Sequence, residues 1–431
     1  MSTPFLIAIA GFFILAGAGL PIAFAMFSAA IAYLFISGQD VGLVAEQSLN
    51  GLFDSFVLLA VPLFILAANF MNAGTVSDRL LAFCVALVGR FRGGLAQVNV
   101  VASLIFSGMS GSAIADAAGI GRVIIDMMRK DNRYPAGYAA ALTAASSVIG
   151  PIIPPSIPMV LYALISNTSI GFLFLGGILP GLLIGGILMV FNAWTARRRN
   201  FQTDEVVPLR DLPRVTLRAF PALMMPVILL AGIYGGATTP TEAAAVAAAY
   251  ALILAAFFYR AMSWGQLRAI LLDSARSTAI VGMIIAAALV FNYLVASENI
   301  PGIVADSLSS LDMHPLVFFL MVNVIFLALG CLFDATTLLL VVVPLFIPTV
   351  NALGIDTVHF GVVIVINIMI GLITPPYGVL LFVINAVTDI PLKDIIRETW
   401  PFLWVLLGAL LAMILFPEIV LFLPRLFGYQ G

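Results

Sequence analysis

Gly371-Leu372-Ile373-Thr374-Pro375-Pro376-Tyr377-Gly378 interrupts an otherwise apolar stretch, flanked by Ile364–Ile370 and Val379–Ile384. Adjacent prolines carry no N–H, so carbonyls one turn earlier lose their helical partners. In hydrocarbon such a break is tolerated only where protein buries it or a cavity solvates it. It reads as a proline kink or as a cavity lining; we take the second, with Gly371, Thr374, Pro375, Pro376 and Gly378 as candidate lining residues. Gly150–Ser156, with Pro154 and Pro155, is a related break of the same kind.

A third interruption is Ser107-Gly108-Met109-Ser110-Gly111-Ser112-Ala113-Ile114-Ala115-Asp116, running on to Gly119 and Gly121. Glycine permits backbone geometries that expose carbonyls, and serine adds an oxygen at little steric cost. Carbonyl and hydroxyl oxygens suit a hard cation such as Na⁺. Close helix packing through small residues is the plainer alternative. Ser107, Gly108, Ser110, Gly111 and Ser112 are therefore candidate ligands, with Na⁺ expected near Ser110, Ser112 and Thr374. Asp116, beside this break, must be paired, protonated or functional; Arg122 is its candidate partner in sequence.

The surroundings decide the class. Of 431 residues, 62% are hydrophobic and 9% charged, against about 45–50% and about 25% in a soluble domain. A soluble fold cannot hide that much apolar surface, so the chain belongs in a lipid bilayer. Apolar runs follow one another from end to end, and helix is the default because lipid cannot satisfy backbone groups. With a net charge of −2, 17 Arg and only Lys130 and Lys393, no basic face serves nucleic acid. Cys84 and Cys331 read as inert core thiols, and His314 and His359 as interfacial loop residues. There is no HExxH, GxSxG or P-loop, so neither hydrolytic catalysis nor ATP use is expected. The run from Phe5 to Ile36 lacks a basic n-region and continues past any cleavage point, so a removed signal peptide is not expected.

Arg and Lys cluster at 79–92, 122–133, 197–218, 260–276 and 393–397, whereas 37–50, 235–242, 297–314 and 351–359 have neither. The positive-inside rule puts the first set in the cytoplasm and the second outside. The Arg-rich stretch 197–218 then reads as a cytoplasmic linker between membrane halves 1–196 and 219–431. Two internal echoes support duplication. Phe53-Asp54 followed by Val61-Pro62-Leu63-Phe64-Ile65 resembles Phe333-Asp334 followed by Val343-Pro344-Leu345-Phe346-Ile347. Ile149–Pro155 resembles Ile370–Pro376 at a different spacing, and the first echo is taken as the better guide to matched elements. Asp54 and Asp334 fit helix N-caps, yet Asp334, with the polar tip residues Thr336 and Thr337, is taken together with Asp116 as a candidate substrate- or ion-binding residue; Thr239-Pro240-Thr241-Glu242 reads as a capping box.

These motifs together resemble the large membrane subunit of a TRAP (tripartite ATP-independent periplasmic) transporter, the DctM-like family. The resemblance rests on VPLFILA at 61–67, SGMSGSAIAD at 107–116, IGPIIPPS at 149–156, GGATTPTEAAAVA at 235–247 and GLITPPYG at 371–378. It implies an all-α polytopic protein of the bacterial inner membrane, with two inverted repeats of re-entrant hairpins and broken helices working as an elevator. Hairpins are expected at about 52–75 and 332–353, and broken helices at about 94–125 and 357–390. The resemblance also implies sodium as the coupling ion and no cofactor. Its implied partners are a small membrane subunit, a periplasmic substrate-binding protein and an organic-acid substrate such as a C4-dicarboxylate, sialic acid or a sugar acid. The rival reading is a stand-alone sodium-coupled dicarboxylate or citrate carrier needing no binding protein.

Overall fold

The computed structural model describes residues 2–72, 75–201, 208–260, 262–309 and 314–431. Among them the chain is helical throughout and forms no sheet. Five helices are long and apolar enough to cross a membrane unaided, six if one bent pair counts as a span. Shorter apolar helices of 10–17 residues accompany them, and the shortness of those in the hairpins and broken helices shapes the fold.

Gly94–Ser110, 17 residues long, ends where Gly111 takes φ +60 and Ser112 caps the next helix. The chain continues through Ala113–Asp116, a π-helical turn at Ala117–Gly121, and Arg122–Arg129. Arg122–Arg129 packs back against Gly94–Ser110. In a continuous helix those segments would be about 18 Å apart or more, so the chain reverses and forms a hairpin. A second hairpin rises through Pro315–Gly330 and returns through Ala335–Thr337, a π turn at Leu338–Val342, Val343–Leu345 and Ile347–Ala352. At about 25 Å per arm, neither hairpin arm matches the roughly 30 Å of hydrocarbon. They dip in and return.

Each hairpin leads into a broken helix. The first is Ala136–Ser147 and Ile157–Ser166; the second is Thr357–Gly371 and Val379–Thr388. Each broken helix leads into a long helix, Ile170–Arg198 and Leu392–Leu415 respectively. These elements form one collinear repeat. The second hairpin begins at Pro315, 221 residues after Gly94, and the second long helix at Leu392, 222 residues after Ile170.

The positions expected from the first echo therefore change. Residues 94–125 form most of a hairpin, not a broken helix, and 332–353 is only the return arm of the second hairpin. Of 52–75, the described residues form a 71° bend between Leu43–Phe53 and Phe56–Met71. Under the same shift this bent pair corresponds to the long helix Trp264–Ser297 of the surrounding frame. The Asp54 side chain, Ala73 and Gly74 lie outside the described residues. Gly and Ser clusters permit both a kink and a reversal, so their composition alone did not separate the two.

The repeats are inverted. A Cβ on Gly137, at the start of the first broken helix, would lie 2.8 Å from the Asp394 carbonyl. His359, at the start of the second, meets the Met413 carbonyl with Nε2 at 2.8 Å. Asp394 and Met413 stand near opposite ends of Leu392–Leu415, about 28 Å apart along the axis. The broken helices thus start from opposite faces. His359 is a helical residue only 4% exposed, not a loop residue, because Asp356 caps the helix and draws it into the first turn.

A labelling experiment tests the re-entrant paths. With Cys84 and Cys331 replaced, cysteines at Arg92 and Asn132 are expected to react with an impermeant maleimide from the cytoplasmic side. Cysteines at His314 and Gly354 are expected to react from the outer side. Opposite labelling at the two bases of either hairpin would mean that it spans.

Candidate functional site

Each hairpin tip covers a break. A Cβ on Gly111 would lie 2.6 Å from the Pro155 carbonyl oxygen, and one on Gly108 3.8 Å from that of Pro154. In the second repeat, a Cβ on Gly371 would lie 2.7 Å from the Gly330 Cα. Glycine is needed at Gly111 and Gly371 because the approach there is backbone to backbone, whereas the tight neighbour of Gly108 is the Pro226 ring, 2.7 Å from where a Cβ would stand. Buried amides and hydroxyls hold each first arm to its hairpin. Asn99 Nδ2 donates to Thr143 Oγ1 at 2.7 Å, and Ser103 and Ser146 bond at 2.9 Å. In the second repeat Asn367 Nδ2 donates to Asn323 Oδ1 at 2.7 Å.

The second arms cross over. Ile157–Ser166 packs on the return arm of the second hairpin, and Val379–Thr388 on that of the first. Hairpins and broken helices therefore interlock as one unit. Tyr162 donates to the Thr357 carbonyl at 2.7 Å and Arg129 to the Thr388 carbonyl at 3.1 Å, tying its opposite ends.

The sequence-expected site residues fall into two clusters. In the first, Ser110 is buried and its Oγ accepts from Ser112 N at 3.5 Å, while Ser112 Oγ accepts from Ala115 N at 3.4 Å. Ser107 is turned away, donating to the Leu104 carbonyl at 2.7 Å. Pro154 and Pro155 lie under this tip, and Ser156 caps the next arm by accepting from Met159 N at 3.2 Å. Asp116 is buried beneath the tip beside Gly150, and among the described residues its Oδ2 has no hydrogen-bond partner. Arg122 is exposed and is not its counter-ion: the helix between them turns Arg122 onto the other face.

In the second cluster Asp334 caps the return arm, accepting from Thr337 N at 3.1 Å and from Thr337 Oγ1 at 2.5 Å. Thr337 is buried and Thr336 half-buried. Thr374 Oγ1 donates to the Ile370 carbonyl at 2.8 Å, covering a carbonyl next to the break. Gly371 and Gly378 are buried, Pro375 is half-buried and Pro376 exposed.

Helix ends supply the electrostatics. Side chains cap the helices after Ser112, Ser156 and Asp334, but the one after Gly378, Val379–Thr388, has no side-chain cap. Backbone carbonyls take its first turn instead, Leu380 N donating to that of Leu372 at 3.0 Å and Leu381 N to that of Gly378 at 2.8 Å, and this end carries the positive pole of the helix dipole. Sequence reasoning missed Asn99, Ser146, Asn323 and Asn367 as organising residues. Their signal was present as amides and hydroxyls isolated within apolar runs. Thr239 and Glu242 form a capping box, with Thr239 N donating to Glu242 Oε2 at 2.8 Å.

An all-helical membrane protein with paired hairpins and broken helices converging from opposite faces is built as a secondary-transporter fold. The chain matches the crystal structure of the Alcanivorax borkumensis YdaH transporter with a TM-score of 0.61, at 16% identity over 84% of each chain. The family model "Tripartite ATP-independent periplasmic transporter, DctM component" matches residues 9–419. The sialic acid TRAP transporter large permease SiaM of Vibrio cholerae is 42% identical over 96% of both chains. The 2,3-diketo-L-gulonate TRAP transporter large permease YiaN of Escherichia coli is 39% identical, over 94% of this chain and 95% of that protein. The chain belongs to the DctM component family of TRAP transporters: it is a multi-pass large permease of the bacterial inner membrane, a transport subunit and not an enzyme.

Overpacking tests the backbone contact. Gly371→Ala is expected to cost about 1–3 kcal/mol, read as a lower midpoint of thermal unfolding in detergent. Gly186→Ala, where a Cβ meets nothing within 4 Å, is expected to leave the midpoint unchanged.

Proposed function

We propose that the two clusters form one sodium-coupled site for a small organic anion, delivered by a periplasmic binding protein and carried by an elevator movement of the interlocked unit. The observation that carries the proposal is the pairing of each hairpin tip with a helix break, from opposite sides, in inverted repeats. Ser110, Ser112 and Thr374 hydroxyls and nearby break carbonyls offer hard oxygen ligands to Na⁺. The N-terminal end of Val379–Thr388, free of any side-chain cap, turns the positive pole of its helix dipole toward an anionic head. Relatives are described as permeases for sialic acid, 2,3-diketo-L-gulonate, C4-dicarboxylates and isethionate. These share an acidic group on a small polar body, which supports an organic-acid substrate here.

A small membrane subunit and a binding protein complete the proposed system. The repeat boundaries we propose are 1–196 and 219–431, joined by the Arg-rich linker. Sodium bound at the tips would stabilise the geometry that receives the anion, and each ligand would raise the other's affinity by the same factor.

Uptake by proteoliposomes holding the complete system tests the assignment. Ser110→Ala and Thr374→Ala are each expected to raise the sodium concentration for half-maximal uptake about tenfold, equivalent to about 1.4 kcal/mol. Unchanged sodium dependence in both would remove these residues from the site. Omitting the binding protein is expected to abolish uptake; undiminished uptake would favour a stand-alone carrier.

A further inference from the structure

A cavity of about 570 Å³ opens between the first broken helix and the inner ends of the two long helices. None of its lining residues belongs to a hairpin tip or a helix break, and it plays no part in the proposed transport site. Phe191, Trp194 and Phe402 make its walls apolar, with Tyr138 on another side. Trp194, 53% exposed, stands where an aromatic ring marks the boundary of hydrocarbon and headgroups. The triplet Arg197-Arg198-Arg199 assigns this end to the cytoplasmic leaflet.

The two arginines lining the cavity differ. Arg199 lies 5.4 Å from the Tyr138 ring centre and is neutralised by Glu398, at 3.1 and 2.8 Å. Arg198 stacks on Trp194 at 5.2 Å and, among the described residues, has neither a carboxylate nor a hydrogen-bond partner. Beside it Thr195, 5% exposed, lines the cavity with an Oγ1 that has no hydrogen-bond partner among the described residues. An unneutralised guanidinium, an unpartnered hydroxyl and aromatic walls call for one ligand with an anionic oxygen head and apolar tails.

We propose that this cavity binds an anionic phospholipid of the inner leaflet, its phosphate held by Arg198 and Thr195 and its acyl chains lying on Phe191, Trp194 and Phe402. A bound headgroup joins the long helices of the two repeats at their cytoplasmic ends. A basic pocket between helices on this side is a general form of lipid recognition, and the unpaired Arg198 selects an anionic head over a zwitterionic one.

Native mass spectrometry of the full chain, purified with any membrane subunit that accompanies it, tests the site. Phosphatidylglycerol, phosphatidylcholine and inorganic phosphate are titrated separately. The expected result is one phosphatidylglycerol per chain, retained under activation that strips phosphatidylcholine, with no retention of inorganic phosphate. Arg198→Gln is expected to weaken the adduct about tenfold and Thr195→Val about threefold. Arg197→Gln, the same charge change on a residue outside the cavity lining, is expected to leave it intact. Equal losses in Arg197→Gln and Arg198→Gln, equal retention of both lipids, or retention of phosphate alone would overturn the proposal. So would an adduct seen on the isolated chain but missing when a membrane subunit is bound, which would make the cavity a protein interface.

Discussion

A backbone carbonyl or amide left without a partner in hydrocarbon costs several kcal/mol, and this chain breaks two central helices within the membrane. Pro154-Pro155 and Pro375-Pro376 remove donors where each helix would otherwise continue. Something other than lipid must cover those breaks, and hairpin tips do so from the side at which each broken helix starts. Gly111 against the Pro155 carbonyl and Gly330 against Gly371 show how close the cover is. The hairpins, their glycines and the capping at Ser112, Ser156 and Asp334 all follow from this one need. Because irregular backbone is tolerated at this depth only when shielded, the same cover defines where small polar ligands can be held.

Packing then makes the interrupted region rigid. Ala136–Ser147 consists almost entirely of small buried residues, so neighbouring helices approach it closely. Gly361 does the same for the second broken helix, where the Tyr162 ring occupies the space a Cβ would take. Each second arm packs on the opposite repeat's hairpin, and the amides and hydroxyls at Asn99, Ser146, Asn323 and Asn367 fix each first arm to its own. Each first arm is thus bonded to its own hairpin, and each hairpin is packed against the opposite repeat's second arm. Such an assembly is suited to move as a body against its frame, the mechanical requirement of an elevator.

The membrane class, the helical fold and the inner breaks were legible because proline, glycine and hydroxyls stand out against an apolar background. Matching of the repeats was not, because the FD…VPLFI likeness joins a frame bend at 53–65 to a hairpin arm at 333–347. Local likeness records shared composition, here an acidic residue followed by an apolar run with proline, and not shared position. The charge pattern held the better signal. Arg90 and Arg92 before the first hairpin, and Arg129, Lys130 and Arg133 after it, put both bases on one side. A segment that starts and ends on one side must re-enter. The bonding of Asn99 and Asn323, and the missing cap at Gly378, depend on tertiary geometry that periodicity does not encode.

The most direct measurement is a pair of spin-label distances in the reconstituted system, with and without sodium and loaded binding protein. One pair, Asn132 and Asp389, joins the first hairpin's base to the end of the second broken helix, both exposed. The other joins Asn132 to the exposed Arg268 on the frame helix Trp264–Ser297. The expected result is an unchanged first distance, while the second gains a population displaced by more than about one helical turn, roughly 5 Å. A first distance that changes while the second stays fixed would contradict movement as one body.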